Sequence, residues 1–288
     1  MRRPVRVVGL LMLAALWIGY LSIGHFLSKP ATRLVGPAPL VLSAKDIEFA
    51  SDQGDRVSGW LAAGRPGSGV VLLLHGVRSN RLQMVPRATF LHEAGYGVML
   101  IDLPAHGESG GSRITFGANE SSAVTAAIRF LRQHFPDEKI GVIGVSLGAA
   151  STVLSKPAGS VSAVVLESMY PTIQEAVADR MEIRLGAAGR FIAPALLWQL
   201  PIYAGTDADS LQPERAMASL SAPVVIASGD RDLHTHWSET ERLFASAADP
   251  KELWKVRGAA HVDLYDFTPS EYQRRVLAFL GKHLHNEH

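Results

Sequence analysis

Ser146 sits in the stretch Gly144-Val145-Ser146-Leu147-Gly148, between a run of apolar and glycine residues (140–145) and a run of small helix formers. A G-x-S-x-G pattern arises by chance in roughly one chain in ten of this length, given ordinary glycine and serine usage. Alone it reads equally well as a glycine-softened junction between a strand and a helix. A serine hydroxyl becomes a nucleophile only beside a general base, and acyl transfer also needs donors for the oxyanion that forms. The chain offers candidates for each. His75-Gly76 ends the run "VVLLLHG", Asp230 and Asp232 follow "VVIASG", and His261 follows "ELWKVRGAA". Each lies where an apolar strand run stops, and in open parallel sheets the carboxyl edge is where ligands bind. The N–H of Val77 would reach that edge, with the N–H of Leu147 as its partner at a helix N-terminus, where the dipole favours negative charge. His75 reads as a residue that shapes its loop rather than as a base. Arg78 and Arg81 read as solvated, with anion binding as the lesser alternative.

The elements that would position these residues alternate from about Asp46 onward. Continuous apolar runs at 69–75, 97–103, 140–145, 162–168 and 222–229 have the character of strands buried on both faces. "DIEFAS" and "RVSGWLAA" predict an opening hairpin around Gly54, and "ELWKVRG" a last strand. Helical patterns fall at about 82–94, 118–134, 146–156, 238–247 and 270–284. This alternation predicts an α/β fold with a mostly parallel central sheet and helices on both faces. The glycine-rich stretch 64–69 lacks the Lys-Ser/Thr of a phosphate loop and reads as a turn. More than fifty residues separate the runs at 162–168 and 222–229. That is too long for a simple crossover, and the apolar helical patterns within it predict a helical cap at about 169–220.

The chain has 288 residues, 28 Lys and Arg against 27 Asp and Glu, and no cysteine. Near-neutral charge gives no sign of a nucleic-acid partner, and the lack of cysteine excludes disulfides, thiolate metal sites and a cysteine nucleophile. Residues 1–30 carry four basic residues and no acidic one, which leaves 24 basic against 27 acidic residues in the body, a net −3. After a basic region at 1–6, residues 7–26 run without a formal charge. About 20 apolar residues span the roughly 30 Å hydrocarbon core of a bilayer. Trp17 and Tyr20 are rings of the kind that settle at an interface. The preceding arginines predict a cytoplasmic N-terminus and a body on the extracytoplasmic side. A signal anchor is expected. Secretion after signal cleavage is the alternative, although no A-x-A site follows the apolar run. Residues 27–44, with Pro30, Pro37 and Pro39, read as a linker to a domain over 45–288.

The pieces "HGVRSN", "DLPAHGES", "GVSLG", "SGDRD" and "GAAHVDL" together resemble the α/β-hydrolase superfamily over about residues 46–283. The likeness is to single-pass, membrane-anchored or secreted serine hydrolases of the dienelactone-hydrolase and Bem46-like type. The resemblance implies the α/β-hydrolase fold with a cap insertion. It implies Ser146 as nucleophile, His261 as base and, three residues past Gly229, Asp232 rather than Asp230 as the acid. It also implies Val77 and Leu147 as oxyanion donors and a structural role for Asp102, His106 and Ser109. Glu167 occupies the other position from which such proteins supply the acid. The reaction expected is hydrolysis of a carboxylic ester on a hydrophobic, lipid-like acyl substrate, with no metal or organic cofactor. Thioester or amide hydrolysis on the same triad is the alternative. A catalytically silent, membrane-tethered binding protein is the alternative from a different class. His234-Thr235-His236 and the tail 283–288 read as a solvated loop and a frayed end, since no zinc-ligand spacing accompanies them. Asn119-Glu120-Ser121 matches a glycosylation sequon.

Overall fold

A computed structural model describes residues 2–157 and 159–285 of the chain, with side chains from Leu10 onward. The side chains of Arg2, Arg3 and Arg6 lie outside the described part, as do residues 286–288 of the histidine-rich tail. The chain opens with helix α1 (Arg2–Leu27). Its segment Leu10–Leu27, of mean hydropathy 1.8, is long and apolar enough to cross a bilayer. Strands β1 (Ala31–Thr32), β2 (Lys45–Ala50), β3 (Arg56–Ala62) and β4 (Val70–Leu74) follow, then α2 (Val85–Ala94), β5 (Gly97–Ile101), β6 (His106–Gly107), α3 (Ala118–His134), β7 (Ile140–Val145), α4 (Leu147–Leu154) and β8 (Ala163–Glu167). Four helices are inserted next: α5 (Ile173–Leu185), α6 (Ala188–Leu197), α7 (Leu200–Tyr203) and α8 (Pro213–Met217). The chain finishes with β9 (Val224–Gly229), α9 (Trp237–Ser246), β10 (Lys251–Val256), α10 (Leu264–Phe267) and α11 (Pro269–Leu284).

Eight strands form one sheet in the order β10-β9-β8-β7-β4-β5-β3-β2. The pairs β2–β3 and β3–β5 are antiparallel and the other five are parallel. Side chains alternate across the sheet, as the period of two requires. Val70, Leu72 and Leu74 pack into one core with α3, α4 and α9. Val71 and Leu73 pack into the other with α2 and α11. Both faces are covered, which is why the central strands read as unbroken apolar runs. Strand order reverses at β4, whose neighbours are β7 and β5. This switch point opens a crevice at the carboxyl ends of β4 and β7.

Two regions differ from the sequence reading. Residues 27–44 are bound along their length rather than loose. Ala31 and Arg33 donate backbone N–H groups to the carbonyls of Ala105 and Gly107, at 2.8 Å each. Val35 and Gly36 N–H groups donate to the Glu108 carboxylate at 3.0 and 3.1 Å, and Leu42 is fully buried. Arg81 is not solvated. It is 2% exposed, paired with Asp102 and Glu108, and its guanidinium lies 4.5 Å over the Trp60 ring. Arg78 donates to the carbonyls of Phe26 and Leu27, at 2.8 Å each, two of the last four carbonyls of α1.

Helix α1 also docks on the insertion. Its Gly24 N–H donates to Gln199 Oε1 at 3.2 Å, and Gln199 Nε2 donates to the Tyr20 carbonyl at 3.1 Å. Trp17 and Tyr20 lie against the Trp198 ring, with centroids 6.4 and 6.5 Å away.

Candidate active site

Ser146 stands between β7 and α4 with φ 49° and ψ −104°, a left-handed backbone that costs energy for any residue with a Cβ. The turn is held on both sides. The Ser146 N–H donates to the Glu167 carbonyl at 2.8 Å, and its own carbonyl accepts from Ala150 N at 2.9 Å. The two glycines of the motif are required by contact. A Cβ at Gly148 would lie 2.5 Å from the Leu74 carbonyl oxygen, and one at Gly144 would lie 2.6 Å from Ala149 N. Helix α4 can therefore start directly against β4 and β7, with the serine on the turn between them. In the register Leu74 pairs with Gly144, so the His75–Val77 loop runs beside Ser146. Neither the Val77 N–H nor the Leu147 N–H is taken by an acceptor among the described residues. Leu147 opens α4, where N–H groups are unpaired by construction.

His261 Nδ1 lies 2.7 Å from Asp232 Oδ2. The other Asp232 oxygen accepts the N–H groups of His234 and Thr235 at 2.8 and 3.0 Å, and the carboxylate is fully buried. A carboxylate saturated in this way acts only as an acceptor, so His261 Nδ1 carries the proton and Nε2 is left as the basic nitrogen. Asp230, the other carboxylate of this loop, is exposed and accepts the Gly258 N–H at 2.7 Å, which ties the end of β9 to that of β10. Glu167, at the end of β8, is committed elsewhere. Arg87 donates to its two oxygens at 3.1 and 2.7 Å, and Tyr272 donates to one of them. Burial and the adjacent Glu167 push the Tyr272 hydroxyl well above its ordinary range.

His75 takes no part in this array. Its Nδ1 donates to the Gly76 carbonyl at 2.7 Å and its Nε2 accepts the Leu103 N–H at 3.0 Å. Burial and His106 lower its pKa to about 3, so the ring stays neutral and braces two loops. Asp102 accepts N–H groups from Arg81 and Glu108, and Ser109 donates to the Asp102 carbonyl at 2.6 Å.

Ser146 and His261 line one cavity of about 300 Å³, together with Arg180 and His234. On its other side Ser146 borders a small apolar pocket of about 70 Å³, walled by Val77, Leu147, Phe116, Tyr170 and Val177. A third pocket, of about 50 Å³, shares Phe116, Ile173 and Val177 with that wall and ends at Gly24 and Leu27 of α1. Two small apolar pockets, sharing a wall, thus lie between the end of the first helix and the serine. A larger cavity of about 690 Å³ lies beside β2 and β3, lined by Arg33, Glu48 and Arg56. It contains neither the serine nor the His261–Asp232 couple and is remote from this chemistry.

The sequence reading did not single out Arg180, and it took His234-Thr235-His236 for a solvated loop, whereas Thr235 is buried and His234 lines the cavity. His234 stacks on His261, with centroids 4.8 Å apart, and burial followed by the His261 neighbour lowers its pKa. Nor did it single out the carboxyl cluster under the insertion. Buried Asp179 and Glu239 face each other there, and burial plus Asp179 raise the Glu239 pKa to about 8. Asp179, Glu182 and His236 bring ligand atoms within 4.8 Å of one another, but Arg190 already bridges the two carboxylates.

A sheet with its switch point at β4, a serine on a strained strand-to-helix turn and a histidine paired with an aspartate are features in keeping with a fold of the α/β-hydrolase type. The chain belongs to the α/β-hydrolase family, whose model matches residues 71–279. Among curated proteins it is similar to the uncharacterized protein YfhR of Escherichia coli K12, 23% identical over 266 residues, which span 89% of this chain and 86% of that protein. Among solved structures it is similar to the esterase Pf2001 of Pyrococcus furiosus, with a TM-score of 0.75 and 25% identity, covering 90% of this chain and 98% of that one. A bacterial membrane phospholipase A shares the fold over 98% of this chain and 99% of its own, with a TM-score of 0.60 and 16% identity.

Proposed function

We propose that the chain is a serine esterase that cleaves carboxylic esters of apolar acyl groups through an acyl-enzyme. The observation that carries this reading is the His261–Asp232 couple, its basic Nε2 set free, lining the same cavity as the strained Ser146. Ser146 Oγ bonds to the acyl carbon while His261 Nε2 takes its proton. Asp232 holds the imidazole tautomer and stabilises the imidazolium. The N–H groups of Val77 and Leu147 receive the oxyanion, each worth about 3 kcal/mol of barrier. Collapse breaks the bond to the alcohol, which leaves with the proton from His261. Water then attacks the acyl-enzyme by the same route in reverse. The Pyrococcus neighbour is an esterase by name, and the apolar pocket beside Ser146 suits an acyl chain.

On this reading α1 is a signal anchor, its N-terminus is cytoplasmic and the hydrolase domain is extracytoplasmic. Phe191, Ile192, Trp198 and Ile202 of the insertion are 86, 44, 59 and 53% exposed. Trp198 lies against the helix that would enter the membrane, and exposed apolar faces of this kind mark membrane or partner contact. The cap would rest on the bilayer, and acyl chains would enter by way of the apolar pocket at Gly24 and Leu27.

A fluorophosphonate probe should label Ser146 in the wild type and not in Ser146→Ala. Absence of labelling in folded protein would leave the binding-protein alternative standing. A matched set of p-nitrophenyl esters, acyl thioesters and amides should show preference for the esters. Turnover of thioesters or amides alone refutes the ester assignment. An alkaline-phosphatase fusion after Leu40 should be active, and an inactive cytoplasmic reporter overturns the topology.

A further inference from the structure

Arg180 stands on the insertion helix α5, in the wall of both the cavity that holds His261 and the apolar pocket on the other side of Ser146. Its only hydrogen bond among the described residues is internal to its helix, from NH1 to the Ala176 carbonyl at 2.8 Å. Asp232, Asp179 and Glu239 act on it through space, without a hydrogen bond or ion pair to it among the described residues. Asp232 holds His261, Asp263 is gripped twice by Arg87 at 2.9 and 2.8 Å, and Asp179 takes Arg190. This half-buried guanidinium, its pKa lowered by burial against the partial opposition of Asp232, Asp179 and Glu239, is a cation only partly compensated by the protein. Arginine presents a planar fork of donors suited to carboxylate and phosphate oxygens.

From this geometry we infer that Arg180 is a specificity-determining residue that binds an anionic group, carboxylate or phosphate, on the alcohol side of the ester. This deepens the esterase reading and rests on it. His261 must protonate the departing oxygen, so the alcohol lies in the larger cavity that His261 lines, while the acyl chain takes the apolar pocket. Arg180 is the cationic group at the boundary, within the space the alcohol occupies. A substrate with an apolar acyl chain and an anionic alcohol matches the two compartments in polarity and charge.

The test compares kcat/KM for three soluble esters: 1-hexanoylglycerol, 1-hexanoylglycerol 3-phosphate and O-hexanoylglycolate. The two charged esters separate phosphate from carboxylate as the source of the anion. Wild type should favour at least one of them over the neutral ester by roughly 10- to 100-fold, the worth of a charge-assisted hydrogen bond. Arg180→Gln should collapse that ratio, and Arg180→Lys should restore part of it. A merely structural arginine would lower charged and neutral esters together and leave the ratio where it was. That result overturns the inference, as does a wild type indifferent to charge. Calorimetry gives a readout free of turnover: hexyl phosphate should bind Ser146→Ala more tightly than it binds Ser146→Ala/Arg180→Gln. Equal binding sinks the anion site whatever the fate of the ester assignment, which p-nitrophenyl hexanoate tests separately.

Discussion

Asp232→Asn isolates the role of the acid. In the wild type Oδ2 accepts from His261 Nδ1, and Oδ1 accepts from the N–H groups of His234 and Thr235. The two backbone donors will hold the amide oxygen of the asparagine at the Oδ1 position, which turns its NH2 group toward His261. Nδ1 must then accept, the proton moves to Nε2, and the nitrogen proposed to take the Ser146 proton ceases to be a base. Loss of the correct tautomer costs about 10,000-fold in kcat, or about 5.5 kcal/mol of barrier at 1.36 kcal/mol per decade. Volume and backbone bonds are retained, so the fold should persist. The assay is steady-state hydrolysis of p-nitrophenyl hexanoate beside the rate of fluorophosphonate labelling, with circular dichroism as the folding control. Glu167→Gln is the companion. Its oxygens face Arg87 and Tyr272 rather than His261, so it should weaken the fold far more than it slows the chemistry. A 10,000-fold loss of rate in stable Glu167→Gln, or near-wild-type activity in Asp232→Asn, refutes the assignment of the acid.

Three further outcomes follow from the same geometry. Arg87→Met leaves the 1%-exposed Glu167 carboxylate buried without its partner, a loss of about 3–5 kcal/mol in denaturant unfolding; Arg87→Met/Glu167→Met should recover much of it, and no recovery would show that the charge is not the cause. Gly148→Ala drives a Cβ to within 2.5 Å of the Leu74 carbonyl; a loss of about 1–3 kcal/mol together with slower labelling of Ser146 is expected, and unchanged labelling would show that the close approach does not set the turn. Glu239, its pKa raised to about 8, binds its proton more tightly folded than unfolded. The stability this contributes is complete below the ordinary glutamate range and falls as pH rises through about 8; Glu239→Gln should flatten the decline of Tm between those limits, and an unaltered slope counts against the assignment.

The sheet was legible because strands buried on both faces leave continuous apolar runs, and the observed strands fall within a residue or two of those runs. α3 was read at its observed bounds, 118–134. What escaped was held together by contacts distant in sequence. Residues 27–44 look like a linker because their restraints are backbone bonds to residues 105–108, which leave no local pattern. Arg81 looks exposed because Asp102 and Glu108 lie 21 and 27 residues further on. Arg180 left a trace that was passed over. Ile173, Ala176, Val177 and Arg180 follow the i, i+3, i+4, i+7 spacing of one helix face, so the arginine belongs to the buried stripe of α5 rather than to its solvent side.

Two acidic residues near the carboxyl ends of neighbouring strands, Glu167 at the end of β8 and Asp232 after β9, could each be the acid by chain order alone, and Arg87 on α2 is what separates them. Its guanidinium takes both Glu167 oxygens and both Asp263 oxygens. Glu167 is thereby anchored to the core helices, with its backbone carbonyl left to receive the Ser146 N–H. Asp263, pinned by the same arginine and held below its ordinary pKa by it despite burial, caps α10 two residues after His261. One buried cation therefore fastens the carboxylate that would otherwise compete for the imidazole and, through a second carboxylate, the loop that carries the imidazole. Asp232 is left as the carboxylate within reach of Nδ1. On the proposed assignment, an arginine that lies outside the hydrolase motifs separates the roles of these acids, a distinction the Ser-Asp-His order alone does not make.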